Sequence, residues 1–278
     1  MRIATLVDTA GDLALGVVGD AGVTILPSEW TSLGALLSTG RPAFQRLSAW
    51  LSEGSHQTVS LEEVTFGPAI PDPGAIYAIG HNYRPMLGPD DGPDRPLVYA
   101  KAASSVAGHN ATLTWDRTLT DNVDAEVELA VVIGAEARAV STSEALGHVW
   151  GYTCVNDISS RDPWLDGDQW LIGKSMPGFC PIGPWIVTAD ELDPTDLRLT
   201  CTINGEPIQD GRTNRMRFGI AEVVAYLSRH VTLRPGDVII TGTPERLATP
   251  PGPGRRLRAG DTATVAIDGI GELTTHIR

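Results

Sequence analysis

The sequence predicts an α+β, mainly β fold, because short strand-like runs dominate and helical periodicity is confined to a few stretches. RIATLV, LALGVV and GVTILP follow one another near the start, divided by Gly and Asp turn residues. Runs of the same kind recur at Ala75 to Ile79, in DAEVELAVVIG, in GYTCVND and at Val238 to Thr241. The chain ends on ATVAIDGIGELTTHIR, a hairpin about Asp268-Gly269.

In chain order, residues 1–70 read as a small N-terminal α+β module and residues 71–278 as a second, larger domain. After the first three strands, Pro42 to Ser52 is helical. Phe44, Leu47, Trp50 and Leu51 fall on one face, and Pro42 suits the first turn, where a missing N–H costs nothing. Leu61 to Pro73 is a connector ending in the proline-rich PAIPDPG. Residues 84–96, RPMLGPDDGPDRP, hold too many prolines and glycines for a regular helix. They form either a surface connection or a lid. Ser143 starts a short helix without an acidic capping partner. Gly219 to His230 is amphipathic through Ile220, Val223, Val224 and Leu227.

Composition narrows the function. The 278 residues are 42% hydrophobic and 20% charged, as in a globular protein with a sizeable core. Cys154, Cys180 and Cys201 are an odd and scattered set, which argues for a reducing compartment and for small buried side chains. No membrane-length apolar run and no leader pattern is seen, so the cytoplasm is the expected location. The net charge of −13 argues against a nucleic-acid partner. The six histidines form no zinc motif. G-x-S-x-G and G-x-G-x-x-G are both absent.

The chemistry concentrates in DAEVELAVVIG. Alternate residues of a strand share a face, so Glu126 and Glu128 point together. Asp157 ends the following strand. Three converging carboxylates repel one another unless a cation lies between them. An all-oxygen set suits a hard divalent ion, magnesium first and then manganese or calcium. An E-x-E pair alone is more often the wet face of a strand, and a lone Asp more often a turn or cap residue.

An ordered series of segments, AIYAIGHNY, VYAKAASS, DAEVELAVVIG, GYTCVNDISSRD, QWLIGKSMPGFCPIGPWIVT, INGEPIQDG and LRPGDVIITGTP, resembles the fumarylacetoacetate hydrolase family. The resemblance implies a mixed β-sandwich roll with a metal-centred cleft. It implies Glu126, Glu128 and Asp157 as metal ligands. It implies Lys174 as the lysine facing substrate oxygens, and Arg161 and Thr243 as groups that hold an anionic or keto end. It further implies a small anionic 2-oxo acid or 1,3-dicarbonyl substrate and, by analogy, a homodimer. The expected reaction is hydrolytic carbon–carbon cleavage of an acylpyruvate-like compound through a metal-bound enolate. Tautomerisation, isomerisation or decarboxylation on the same site is the alternative. A non-catalytic scaffold is a third reading, disfavoured by the intact acidic and lysine positions.

The chain departs from the family pattern at the water-activating histidine. The N-Y motif runs on as Asn82-Tyr83-Arg84-Pro85-Met86, with Met86 at the histidine position and no nearby glutamate. Asp162-Pro163-Trp164 stands where a glutamine is common, and Lys174-Ser175-Met176-Pro177 replaces K-S-F-D. His81 is therefore a candidate displaced base, set against a conformational role. Tyr83, Arg84 and Lys101 are candidate substrate-binding residues, the last two as local positive charge on an acidic protein.

Overall fold

A computed structural model describes the chain except residues 31, 40, 55, 87–89, 163–168 and 248–254. Among the described residues, β-structure predominates. The largest sheet has 12 strands, and ten of them form one continuous path. In order these are Thr58–Val59, Gly22–Ile25, Leu13–Gly19, Arg2–Val7, Cys180–Thr188, Val149–Asn156, Val127–Ile133, Val238–Ile240, Ile76–Gly80 and Leu97–Lys101. A second, five-stranded sheet runs Glu206–Arg212, Arg198–Ile203, Thr262–Ile267, Gly271–Ile277 and Ala111–Leu113. The strands of residues 1–70 hydrogen bond directly into the larger sheet, with Arg2 opposite Val187 and Ile3 opposite Ile186.

The alternation in VELAVVI decides how the layers stack. Val127, Leu129, Val131 and Ile133 face a core shared with Leu199, Cys201, Val265 and Leu273 of the second sheet. Ala130 and Val132 point the other way, into a core with Leu33, Leu36, Leu37 and Leu47 of the N-terminal helices. This strand is buried over its whole length, as expected of a strand covered on both faces. Helix Ile220–His230 seals the first core with Val223, Val224 and Leu227.

Several expected elements lie within a residue or two of their sequence positions. They include helix Arg41–Ser52, strand Ile76–Gly80 and the terminal hairpin of Thr262–Ile267 with Gly271–Ile277. Two readings need correction. Leu33–Thr39 is a helix that the sequence analysis passed over, although Leu33, Leu36 and Leu37 carry the helical spacing and are buried. The short helix near 143 is Thr142–Ala145, begun by Ser141 rather than Ser143. Its acidic partner is present: the Glu144 carboxylate accepts the Ser141 N–H at 3.0 Å and hydroxyl at 2.6 Å. The three cysteines are free and buried. No described helix is long and apolar enough to cross a membrane.

Candidate active site

Strand direction brings the site together. Val238–Ile240 pairs parallel with Ile76–Gly80 and antiparallel with Val127–Ile133. The carboxyl ends of the first two strands therefore meet the amino end of the third. His81-Asn82-Tyr83 and Thr241-Gly242-Thr243 emerge there beside Glu126 and Glu128. Asn82 locks the junction. Its buried amide donates to the carbonyls of Thr241 at 2.8 Å and Phe218 at 3.1 Å, and its side-chain oxygen accepts the Phe218 N–H at 2.9 Å. Gly242 has φ +96°, and a Cβ there would lie 2.8 Å from that of Asn82, so this turn requires glycine.

Glu126 and Glu128 share the parity of Ala130 and Val132, the face opposite the inter-sheet core. On the neighbouring strand Val155 stands opposite Glu128, and Asp157 lies two residues on, on the same face. The Asp157 N–H donates to the Glu126 carbonyl at 2.9 Å, fixing the two side by side. One oxygen from each of Glu126, Glu128 and Asp157 falls within 4.8 Å of the others, and all three residues are buried.

Cations counter this burial on one side. Lys174 Nζ donates to Asp157 Oδ2 at 2.5 Å, to Glu126 Oε2 at 3.3 Å and to Ser159 Oγ at 2.7 Å. Arg161 donates to Glu126 Oε1 and, at 3.2 Å, to Asp124 Oδ2. Behind Asp157, Lys101 Nζ donates to Oδ1 at 2.5 Å, and the Tyr99 hydroxyl donates to Oδ2 at 2.8 Å.

The carboxylates respond differently. Burial pushes the Asp157 carboxyl up, but Lys101 and Lys174 overcome it and hold the group far below the usual range. Glu126 is likewise lowered: Lys174 and Arg161 outweigh its burial. Glu128 has neither cation in contact; burial and the Asp157 charge push it well above the ordinary glutamate value. Among the described residues its one direct stabilising bond is from the Gly242 N–H, 2.5 Å from Oε2. Burial works against the Lys174 ammonium, but Asp157 and Glu126 more than compensate and raise its pKa. Lys174 is thus a held cation here, not the easily deprotonated lysine that a divalent neighbour would make. An oxygen-only donor set, gathered and buried, with one member still short of positive charge, fits a hard divalent ion.

The triad lies beside a cavity of about 680 Å³, within the usual range of small-molecule sites. Glu126, Glu128, Lys174, Arg161, Tyr83, His81 and Thr243 all line it. Burial and the nearby Glu128 push the Tyr83 phenol up, and its buried hydroxyl has no hydrogen-bond partner among the described residues. The Thr243 hydroxyl is committed to the protein: it donates to the Val127 carbonyl at 2.8 Å and accepts from Gln209 at 2.8 Å.

Two of the expected substrate-binding residues lie outside the cavity lining. Lys101 is fully enclosed behind Asp157 and does not border the cavity; it compensates the carboxylate instead. Arg84 lies outside the lining with half its side chain exposed, 3.8 Å from Asp90. Arg217 and Arg246, which the sequence reading missed, line the cavity, as do Tyr99, Trp170 and Glu245. Met86 is 67% exposed and is not among the lining residues, its N–H donating to Glu245 at 3.0 Å. Of the 84–96 stretch, Pro85 and Asp90 to Pro93 line the cavity and no described residue is helical; 87–89 lie outside the described residues. So do Pro163 and Trp164, read above at the family's glutamine position.

Comparison with known proteins places this geometry. An uncharacterized protein of Staphylococcus aureus (strain USA300) is 39% identical over 221 residues, 79% of this chain and 74% of that protein. The structure of maleylpyruvate hydrolase from Sphingobium sp. SYK-6, in complex with manganese(II) and pyruvate, superposes with a TM-score of 0.84. It is 26% identical, covering all of this chain and 98% of that one. The 5-carboxymethyl-2-hydroxymuconate delta-isomerase of Mycobacterium smegmatis gives 0.77 at 29% identity, covering all of this chain and 99% of that one. The family model described as fumarylacetoacetate hydrolase, C-terminal, matches residues 75–278. With the whole cavity floor inside that matched region, the chain belongs to the fumarylacetoacetate hydrolase family.

Proposed function

We propose that the chain is a divalent-metal-dependent hydrolase that cleaves a carbon–carbon bond in an acylpyruvate-like or other 1,3-dicarbonyl 2-oxo acid. The observation that carries this reading is the buried triad of Glu126, Glu128 and Asp157, within 4.8 Å, beside a cavity that Lys174 and Arg161 also line. These three residues are the proposed ligands of magnesium, with manganese or calcium as alternatives; manganese in the Sphingobium neighbour supports a divalent ion. When bound, the ion supplies Lewis-acid polarisation of a carbonyl oxygen.

The remaining work falls to side chains. Lys174 Nζ carries a proton in its carboxylate surroundings and can deliver it to a developing anion on the substrate. Arg161, reaching from Asp124 to Glu126, borders the place where a substrate carboxylate would sit. Tyr83 brings an unpartnered hydroxyl to the same space. With the Thr243 hydroxyl already engaged, that residue acts by shaping the strand-end turn. His81 is the one histidine among the described lining residues and the candidate base for water. By family analogy the proposal includes a cytoplasmic homodimer acting on a small anion.

A second reading, a tautomerase, isomerase or decarboxylase on the same residues, is favoured by Met86. The side chain at the expected histidine position is exposed and is not among the lining residues. A panel of acylpyruvates followed by NMR separates the two. Pyruvate plus a carboxylic acid, formed only with added metal, is expected. A product isomeric with the substrate supports the second reading. Turnover unaffected by a chelator, or none on any panel member, sinks the metal-dependent enzyme.

Metal affinity carries a pH signature. The raised Glu128 carboxyl must lose its proton before both oxygens can serve an ion. Manganese affinity is therefore expected to climb as pH rises through that elevated value and to level off above it. Titrations followed by electron paramagnetic resonance check this. An affinity independent of pH through the acidic range would remove Glu128 from the ligand set.

A further inference from the structure

Val127 stands between the two glutamates of the E-x-E pair, and on one edge its backbone has outrun its neighbouring strand. Val238–Ile240 pairs with this strand only as far as Ala130, and the Thr241 N–H still reaches the Leu129 carbonyl at 3.0 Å. Two residues nearer the amino end, the N–H and C=O of Val127 face the same edge as those of Leu129. The Gly242 N–H is by then turned to the Glu128 carboxylate. Two side chains supply the missing ladder. The Val127 N–H donates to Gln209 Oε1 at 2.9 Å, and the Thr243 hydroxyl donates to the Val127 carbonyl at 2.8 Å. Gln209 Nε2 closes the ring by donating to Thr243 Oγ1 at 2.8 Å, and it also donates to the Pro244 carbonyl at 2.7 Å. One end of the amide meets an N–H and the other a carbonyl, so turning it over would break both bonds. Gln209 is 1% exposed and comes from the other sheet. There Cys201 opposes Gln209 and Thr202 opposes Pro207, which leaves Ile208 as one residue extra. This bulge interrupts the alternation, so Ile208 enters the inter-sheet core while Gln209, also buried, lines the cavity.

We propose that Gln209 is a positioning residue, acting through Val127 and Thr243 to hold Glu126 and Glu128 at the separation a divalent ion needs. The N–H of Val127 belongs to the peptide plane shared with Glu126, and its C=O to the plane shared with Glu128. Pinning both planes fixes the two Cα–Cβ directions that aim the carboxylates. Because Gln209 is anchored in the second sheet, the packing of one sheet on the other sets the spacing of the pair. The inference rests on the metal-site reading for what that pair holds.

Gln209→Met keeps the length of the side chain and removes both ends of the ring. Manganese affinity, titrated by electron paramagnetic resonance, is expected to fall about 10- to 100-fold, the usual cost of losing a group that supports metal ligands from behind. Thr243→Val should cost a similar factor, and the double variant little more than either single change, since a ring broken once is broken. Leu273→Ala, in the inter-sheet core and outside the cavity lining, should lower the melting temperature and leave the affinity alone. An affinity unchanged in Gln209→Met, a fall matched by Leu273→Ala, or losses that add in full in the double variant overturns the proposal. A second readout needs no metal. Hydrogen exchange followed by NMR compares the Val127 amide with that of Val131, a residue of the same strand within the ladder. Gln209→Met should speed exchange at Val127 relative to Val131 on the order of tenfold, whereas Leu273→Ala should change both alike. If the wild type binds no manganese, the metal-site reading has failed and exchange alone decides. A selective gain at Val127 then upholds the positioning of the carboxylate pair, and no selective gain overturns it.

Discussion

Asp157→Ala is expected to destabilise the protein by about 3–5 kcal/mol, the cost of removing one partner from a buried ion pair. Two ammonium groups depend on that carboxylate. Lys101 and Lys174 each approach an oxygen of Asp157 at 2.5 Å, and all three side chains are buried. Without the acid, Lys101 keeps, among the described residues, the Ile158 carbonyl at 3.2 Å. A fall in melting temperature of roughly 10 °C would accompany the loss, together with loss of manganese binding. Glu128→Gln should behave oppositely in stability while also abolishing the metal.

The sign follows from the direction of each shift. The Asp157 carboxyl is held below its unfolded value, so its contribution is present above the unfolded pKa and disappears only in strong acid. The Glu128 carboxyl is raised, so what it contributes is present in acid and is lost as pH rises through the folded value. Ionising Glu128 in this site is unfavourable, and an uncharged amide can still accept the Gly242 N–H. Paired thermal denaturation of both variants, without metal, checks the contrast. If both lose stability equally, or Asp157→Ala melts with the wild type, the electrostatic account of the triad is wrong.

The same contrast shows what can be read from sequence. Strand parity is a local property with a period of two, so the common direction of Glu126 and Glu128 was legible from five residues. The placing of Asp157 was legible because a strand end follows a recognisable apolar run. Lys101 was legible in kind but not in direction. VYAKAASS was legible only through its family resemblance, and nothing local says that Asp157 lies against its lysine, at the end of strand Leu97–Lys101. Arg217 and Arg246 had no signal of that kind. Each enters the cavity from an irregular segment, and its position is set by pairings such as Gln209 with Arg246 and Tyr83 with Met216. The one clue was proximity, since Arg246 follows Thr243-Pro244 by two residues. The strand fan that positions everything, with Val238–Ile240 between Ile76–Gly80 and Val127–Ile133, joins segments more than a hundred residues apart. Hydrophobic pattern alone does not rank such pairings.

His81→Ala is expected to lower hydrolysis of an acylpyruvate by roughly 10²–10⁴-fold, the usual worth of a general base. Three observations single out this histidine. It lines the cavity, whereas Met86, at the position where the family places its histidine, does not. Its backbone is held at φ 53°, a left-handed conformation that costs a non-glycine residue on the order of 1–3 kcal/mol. Its neighbours impose that conformation: Asn82 is bonded into Thr241 and Phe218, while Trp170 lies against the Gly80 backbone and edge-on to the imidazole at 5.8 Å. The wild-type protein is expected to hydrolyse simple acylpyruvates slowly and to exchange the C3 protons of a 2-oxo acid faster, because exchange uses Lys174 and the carboxylate floor without needing an activated water. In deuterated buffer, NMR follows both rates at once. His81→Ala should therefore depress hydrolysis far more than exchange, and His81→Gly should do the same while relieving the backbone. Equal loss of both rates would make His81 a structural residue. Hydrolysis untouched in His81→Ala but lost in the Asp90/Asp91 double alanine variant would move the base to the loop that borders the cavity.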